Sequence, residues 1–215
     1  DMAEILIAPS ILSADFAAMG EAVRNLEKWK ADWVHCDVMD GEFVPNITFG
    51  MPMVEALRRN TKLFLDVHLM IVKPERYVER FVKAGADLVT FHPEASEDPH
   101  GTIAKIKAAG AKAGIVLNPD IPCEVAKEFI GEVDLIMLMG VFPGFGGQKF
   151  ITEVMEKISQ LKEMTKGTSV LVELDGGVTL DNAPEMKRRG LDVMVAGNAV
   201  FKAEDPALAI AGLKA

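Results

Sequence analysis

Short apolar, β-branched runs alternate with amphipathic segments along the whole chain. The strand-like runs are Ile5–Ser10, Trp33–Met39, Leu63–Met70, Leu88–His92, Ala113–Asn118, Leu135–Val141, Val170–Asp175 and Val193–Gly197. The helix-like runs are Phe16–Lys30, Met51–Arg59, Pro74–Ala84, Pro99–Ala109, Cys123–Ile130, Ile151–Lys166, Leu180–Arg189 and Pro206–Leu213. Gly85, Gly110 and Gly190 follow helical runs, where a left-handed cap is wanted. Pro74 and Pro99 stand where a helix can begin, and Asp181 and Asp205 near helix starts. The pattern amounts to eight strand–helix units, at about 27 residues each close to the lower size limit of an α/β fold of the (β/α)8, or TIM, barrel type. No linker, low-complexity tract or composition break interrupts it, so residues 1–215 are expected to form one domain. A doubly wound open sheet is the structural alternative. It more often has about five or six strands and a glycine-rich first turn, which Ser10-Ile11-Leu12-Ser13 is not.

Composition narrows the partners. Hydrophobic residues make up 49% and charged residues 26% of the 215, an ordinary globular mix. A chain this long buries about 70% of its extended surface and needs no disulfide or structural metal to hold a core. The net charge of −9 argues against nucleic acid as a partner. No apolar stretch is long enough for a membrane span. Two cysteines, Cys36 and Cys123, cannot form a disulfide framework and suit a reducing compartment. The start of the chain lacks the basic segment and long apolar run of a signal peptide, so a cytoplasmic location is expected.

In a barrel of this type, side chains at the C-terminal ends of strands point into the active site. The second strand ends His35-Cys36-Asp37-Val38-Met39, and alternation puts His35, Asp37 and Met39 on one face and Cys36 and Val38 on the other. The third ends Asp66-Val67-His68-Leu69-Met70 and the seventh Glu173-Leu174-Asp175-Gly176-Gly177. Two histidines and two aspartates can therefore meet at the top of the barrel. Such a nitrogen/oxygen set suits Zn2+, Fe2+, Mn2+ or Co2+ without choosing among them. Hydrogen-bonded barrel residues are the alternative, but burying four ionisable groups without a metal or pairing is costly. Asp66 is either a partner behind a ligand histidine or a residue of the barrel floor. Glycines in Pro143-Gly144-Phe145-Gly146-Gly147-Gln148, Gly176-Gly177 and Gly197-Asn198 follow strands six to eight. Glycine lets backbone approach a ligand closely, and the loops after strands seven and eight are the usual phosphate site of this fold.

These strings, together with Ala8-Pro9-Ser10-Ile11-Leu12-Ser13-Ala14-Asp15-Phe16, Phe43-Val44-Pro45-Asn46 and Phe91-His92-Pro93-Glu94-Ala95, resemble the D-ribulose-5-phosphate 3-epimerase family over essentially the whole chain. The resemblance implies an isomerase of the pentose phosphate pathway. It implies one divalent metal held by His35, Asp37, His68 and Asp175, with Asp37 and Asp175 doubling as the acid/base pair. Ser10 and His68 would contact the substrate. Met39, Met70 and Met139 would form an apolar cap near the reacting carbon. Gly144, Gly146, Gly147, Gly176, Gly177, Gly197 and Asn198 would hold the substrate's phosphate end. A small phosphosugar is then the implied partner, and members of the family are often homo-oligomers.

Four positions depart from the family pattern. Gly140 and Phe142 stand where Ser and Asn are usual, Glu42 where His is common and Asn198 where Ser is common. Gly140 and Phe142 leave room for a hexulose phosphate such as allulose 6-phosphate as the substrate. A barrel lyase or synthase is a further reading, which the paired histidines oppose. A non-catalytic phosphosugar-binding barrel could lose any of the four polar residues, and none is lost. His92 either lines the pocket or bonds structurally, and His100 reads as a solvated helix residue. Cys36 reads as a buried, inert thiol.

Overall fold

The apolar runs form eight strands in the computed structural model, which describes residues 4–144 and 148–215. They are β1 (Leu6–Pro9), β2 (Trp33–Met39), β3 (Phe64–Met70), β4 (Leu88–Phe91), β5 (Lys112–Leu117), β6 (Leu135–Met139), β7 (Leu171–Asp175) and β8 (Val193–Ala196). All pair in parallel, in the order β1-β8-β7-β6-β5-β4-β3-β2. A parallel bridge between Ser10 and His35 brings β1 to β2 and all but closes the ring. Parallel neighbours need a crossover, and helices supply it: α1 (Met19–Lys28), α2 (Met51–Asn60), α3 (Val78–Ala84), α4 (Pro99–Ala108), α5 (Val154–Met164) and α6 (Ala183–Arg188), with the short α7 (Asn198–Phe201) and α8 (Pro206–Lys214) following the last strand. The expected left-handed caps are present: Gly85, Gly110 and Gly190 all have positive φ. No helix among the described residues is long and apolar enough to cross a membrane.

One crossover departs from the expected α-helix. Cys123–Phe129 is a 3₁₀ helix whose buried residues, Cys123, Ala126 and Phe129, recur every third position. A 3₁₀ helix eclipses side chains at that spacing, whereas an α-helix would fan them across about 120° of one face. The tighter coil stacks the three buried residues in line. Similarly, Phe16–Ala18 and Pro74–Arg76 are 3₁₀ turns leading into α1 and α3.

Alternation sorts the strand residues into two cores. Outward residues such as Cys36, Val67, Val89, Ile136 and Val172 pack with the helices. Inward residues, among them Ala8, Leu88, Val116, Leu135, Met137 and Val193, fill the barrel. Trp33 stacks on Phe64 across β2 and β3, ring centroids 4.4 Å apart, near the N-terminal end of the strands.

The same end carries a fourfold device. An aspartate enters every even strand: Asp32, Asp87, Asp134 and Asp192. Each Oδ2 accepts from a backbone N–H at the start of the preceding odd strand, from Ile7, Leu65, Ala113 and Val172 at 2.8, 2.8, 2.9 and 2.8 Å. Each aspartate's own N–H donates back to the carbonyl of the same residue. The clamps end four odd–even strand pairs on the face opposite the active-site end, where barrels keep stability rather than chemistry. Asp134 shows the device alone, since among the described residues it has no ion-pair partner, unlike Asp32, Asp87 and Asp192. Asp134→Ala is predicted to lose about 1–2 kcal/mol, the scale of a hydrogen bond to a charged group and its stranded donor. In thermal unfolding this is about 2–4 °C per kcal/mol for a chain of this size. Asp134→Asn, which keeps an acceptor, should lose less, and neither should change turnover.

Candidate active site

Three strands bring the polar residues together because their registers match. Parallel pairing sets Asp37 beside His68 and His35 beside Asp66 across β2 and β3, and Met139 beside Asp175 across β6 and β7. His35 Nε2 lies 3.0 Å from Asp37 Oδ1 and 3.4 Å from Asp175 Oδ2. His68 Nδ1 lies 3.0 Å from the same Asp37 oxygen and 3.8 Å from Asp175 Oδ2. One donor atom from each of His35, Asp37, His68 and Asp175 falls within 4.8 Å of all the others. Asp37's second oxygen accepts a hydrogen bond from the Ser10 hydroxyl at 2.8 Å. Behind this group Asp66 Oδ2 lies 2.8 Å from His35 Nδ1, fixing the ring so that Nε2 faces forward. Of the two readings of Asp66, the structure thus gives the partner behind the histidine.

The local charge is unbalanced. Asp37, Asp66, Glu173 and Asp175 find their ion-pair partners only in histidines among the described residues. Among the described residues, Asp66 Oδ1 and both Glu173 oxygens are buried without a hydrogen-bond partner. Burial pushes the Asp37 carboxyl up, but His35 and His68 prevail and hold it well below the usual range. Asp175 is pushed up to about 6 by burial and then by the charge of Asp37. Burial and the adjacent Asp66 drive Glu173 well above the usual range. His35, despite a burial that alone would lower it, is held well above the usual imidazole range by Asp37 and Asp66. Burial takes His68 down to about 4 and lowers His92 as well. Two imidazoles and two carboxylates converging on one point, with acceptors in excess of donors, fit a divalent cation.

A cavity of about 1050 Å³ opens above the two aspartates. Ser10, Asp37, Asp175, Gly176, Gly177, Gly197 and Asn198, all expected at the site, line it. His35 and His68 are buried beneath them. Gly176 and Gly177 take φ of +110° and +76°, and a Cβ at 177 would lie 2.7 Å from the Phe150 backbone. Gly197 approaches Ser13, whose Oγ would be 2.5 Å from a Cβ there. None of the three methionines lines the cavity. Met39 and Met70 pack with Val44, whereas Met139 belongs to the barrel interior with Ala8 and Val116. Gly144 is not on the cavity wall; it sits against Val44 and Pro45. Gly146 and Gly147 lie outside the described residues.

Gly140 and Phe142, two departures from the family pattern, do not line the described cavity. At Gly140 a Cβ would meet the Gly176 carbonyl and, at 2.8 Å, the Phe150 ring, so the missing hydroxyl opens no space. Phe142 lines a separate hollow of about 420 Å³ with Phe43, Pro45 and Asn118. Ser13, Lys149 and Asn182 are wall residues that residue type alone does not mark. Asn182 donates to the Gly177 carbonyl at 2.9 Å and so holds the β7 loop.

Eight parallel strands around a histidine–carboxylate cluster at their C-terminal ends, with glycine loops beside it, define a (β/α)8 barrel with an acid–base centre at its mouth. The solved KGPDC of Streptococcus mutans shares this fold, with a TM-score of 0.73 at 16% identity over 99% of this chain and 96% of that one. The ribulose-phosphate 3-epimerase family profile matches residues 6–201. The chain is 51% identical to the ribulose-phosphate 3-epimerase of Bacillus subtilis, covering 98% of both. It is also 51% identical to the chloroplastic ribulose-5-phosphate-3-epimerase of Arabidopsis thaliana, over 99% of this chain and 77% of that one. The chain belongs to the ribulose-phosphate 3-epimerase family.

A cation that binds only the folded protein stabilises it, by about 2.7 kcal/mol at a hundred times its dissociation constant. Chelator-treated protein is therefore predicted to melt higher when Zn2+, Mn2+ or Co2+ is added. His35→Ala should abolish that rise, which differential scanning fluorimetry can follow.

Proposed function

We propose that the protein is a metal-dependent epimerase that inverts C3 of D-ribulose 5-phosphate to give D-xylulose 5-phosphate. The observation that carries this is the pair Asp37 and Asp175. They face the cavity from β2 and β7, with oxygens within 4.8 Å and unequal proton affinities. Inverting a carbon next to a ketone removes a proton from one face and returns one to the other, which two carboxylates can do in either direction. Environments that push two carboxyls apart separate the acid from the base. Asp37 stays ionised beside two histidines and is the ready base. Asp175, raised by burial and by Asp37, holds the proton that is delivered to the opposite face of the enediolate. In the reverse direction their roles exchange.

The remaining residues bind and orient. Ser10, already donating to Asp37 Oδ2, can turn its hydroxyl to the sugar. Gly176, Gly177, Gly197 and Asn198 offer close backbone approach to the phosphate, and Lys149 adds a cation to that wall. Met39, Met70 and Met139, at the ends of β2, β3 and β6, would exclude water beside the reacting carbon. His35, Asp37, His68 and Asp175 would hold one divalent ion, with Zn2+, Fe2+, Mn2+ and Co2+ all suited to the donor set. Bound there, it supplies positive charge at the oxygens where negative charge develops. The buried free thiols Cys36 and Cys123 support a cytoplasmic setting.

The test is an NMR time course in D2O with D-ribulose 5-phosphate, on metal-loaded and on chelator-treated protein. Metal-dependent xylulose 5-phosphate carrying deuterium at C3 is the expected result. Asp37→Asn and Asp175→Asn should each lower turnover by about 10²–10⁴-fold while the sugar phosphate still binds. No conversion and no exchange by folded, metal-loaded protein would reject the pentulose reading, and full activity in either variant would reject the two-base assignment.

A further inference from the structure

One side chain ties the glycine loop after β7 to the helix that follows it. Asn182 immediately precedes α6. Its Oδ1 accepts from the Thr179 N–H at 2.8 Å, and its own N–H donates to the Thr179 hydroxyl at 3.2 Å. This reciprocal pair is a short form of the capping box. A third bond leaves the helix start: Asn182 Nδ2 donates to the Gly177 carbonyl at 2.9 Å. The two neighbours settle the orientation of the amide, since an N–H only donates and a carbonyl only accepts. The turn is itself well seated. Ala183 and Met186 are buried, and their N–H groups donate to the carbonyls of Thr179 and Asn182. Asn182 is thus already ordered where it reaches Gly177, and that bond costs little further side-chain entropy.

Gly177 gains from being held. Its φ of +76° lies in a region that glycine enters freely and leaves as freely. The peptide joining Gly177 to Val178 is trans, so the Gly177 carbonyl and the Val178 N–H point in opposite directions. Fixing the oxygen on Asn182 therefore fixes the direction of the Val178 N–H. Among the described residues, the N–H groups of Gly177, Val178 and Gly197 donate to no acceptor. All three residues line the cavity beside Asp175. Backbone donors left over along one wall suit an anion, whose oxygens accept from several N–H groups at once.

We propose that Asn182 is a positioning residue for the substrate's phosphate: through Gly177 it directs the Val178 N–H, which joins those of Gly177 and Gly197 as a donor to the phosphate oxygens. The proposal rests on the reading of the late glycine loops as the phosphate seat. The effect of Asn182 passes through backbone and falls on binding. Asp175 is set by its strand pairing with Met139 and Val195, and it keeps its place when the Asn182 bond is lost. Substrate affinity then suffers while turnover at saturation does not, the mark of lost uniform binding.

The experiment combines steady-state kinetics on D-ribulose 5-phosphate with a ¹H–¹⁵N NMR titration by inorganic phosphate, both on Zn2+-loaded protein. In the native protein the amide signals of Gly177, Val178 and Gly197 should move downfield as phosphate binds. Asn182→Ala should raise KM and the phosphate dissociation constant together, by about 3–10-fold, the scale of one hydrogen bond. Its kcat should stay within about twofold of native. Its Val178 signal should lose most of the phosphate shift while Gly197 keeps its own. Asn182→Asp retains the acceptor for the Thr179 N–H but sets an oxygen against the Gly177 carbonyl. It should keep the native melting temperature and yet weaken phosphate at least as much as Asn182→Ala, and it carries the same readings should the alanine variant fail to fold. Native KM with an undiminished Val178 shift in either variant would overturn the proposal. So would a fall in kcat as large as the rise in KM, because the effect would then lie at the reacting carbon. A native Val178 amide that ignores phosphate while Gly177 and Gly197 respond would also overturn it, and would leave the phosphate seat standing. If none of the three amides responds, the seat itself is misplaced and the proposal falls with it.

Discussion

One carboxylate organises the mouth of this barrel. Asp37 Oδ1 is shared by His35 and His68, and its Oδ2 takes the hydroxyl of Ser10. Those partners come from β2, β3 and the residue that follows β1, and the Ser10–His35 bridge is where the ring comes round to its start. A lone ionised carboxylate in such a dry place would be prohibitively costly. It is tolerable only because its partners are fixed, and they are fixed only if the strands keep their register. The chemistry at the mouth and the closing of the barrel thus rest on the same few atoms.

The barrel separates two demands along its axis. At one end, four aspartates clamp odd strands to even ones through backbone N–H groups, without reaching the cavity. Toward the other, the interior turns polar. Asp66 and Glu173 stand behind His35, and the acid–base pair stands in front of it. A middle layer with acceptors in excess of donors is a poor way to hold a core together. It makes sense as the back wall of a cation site, where positive charge offsets what hydrogen bonds do not.

Much of this was legible in the chain. The strand runs, the alternation of His35, Asp37 and Met39 against Cys36 and Val38, and the glycines after late strands follow from a period of two and from backbone freedom. The 3₁₀ crossover at Cys123–Phe129 was less so, because an apolar residue every third position is easily taken for a loose α-helical stripe. The aspartates before β2, β4, β6 and β8 repeat as an apolar–Asp–apolar signal, yet they look like solvated turn residues until the neighbouring strand is in place. His92 shows the same limit. Nothing in His92-Pro93-Glu94 shows what its ring meets, since its partner His68 is 24 residues away.

The sequence by itself determined the alternation of elements, the direction each strand side chain faces and the inventory of groups able to do acid–base and metal chemistry. Periodicity and residue type are local properties, and they survive without knowledge of neighbours. Tertiary structure alone decided which of those groups meet. It set Asp37 between two imidazoles, raised Asp175 beside it, filled the space at Gly140 with the Phe150 ring and placed Phe142 at a separate hollow. Proton affinity and pocket shape depend on distance and burial across strands far apart in the chain, and only the closed barrel supplies those.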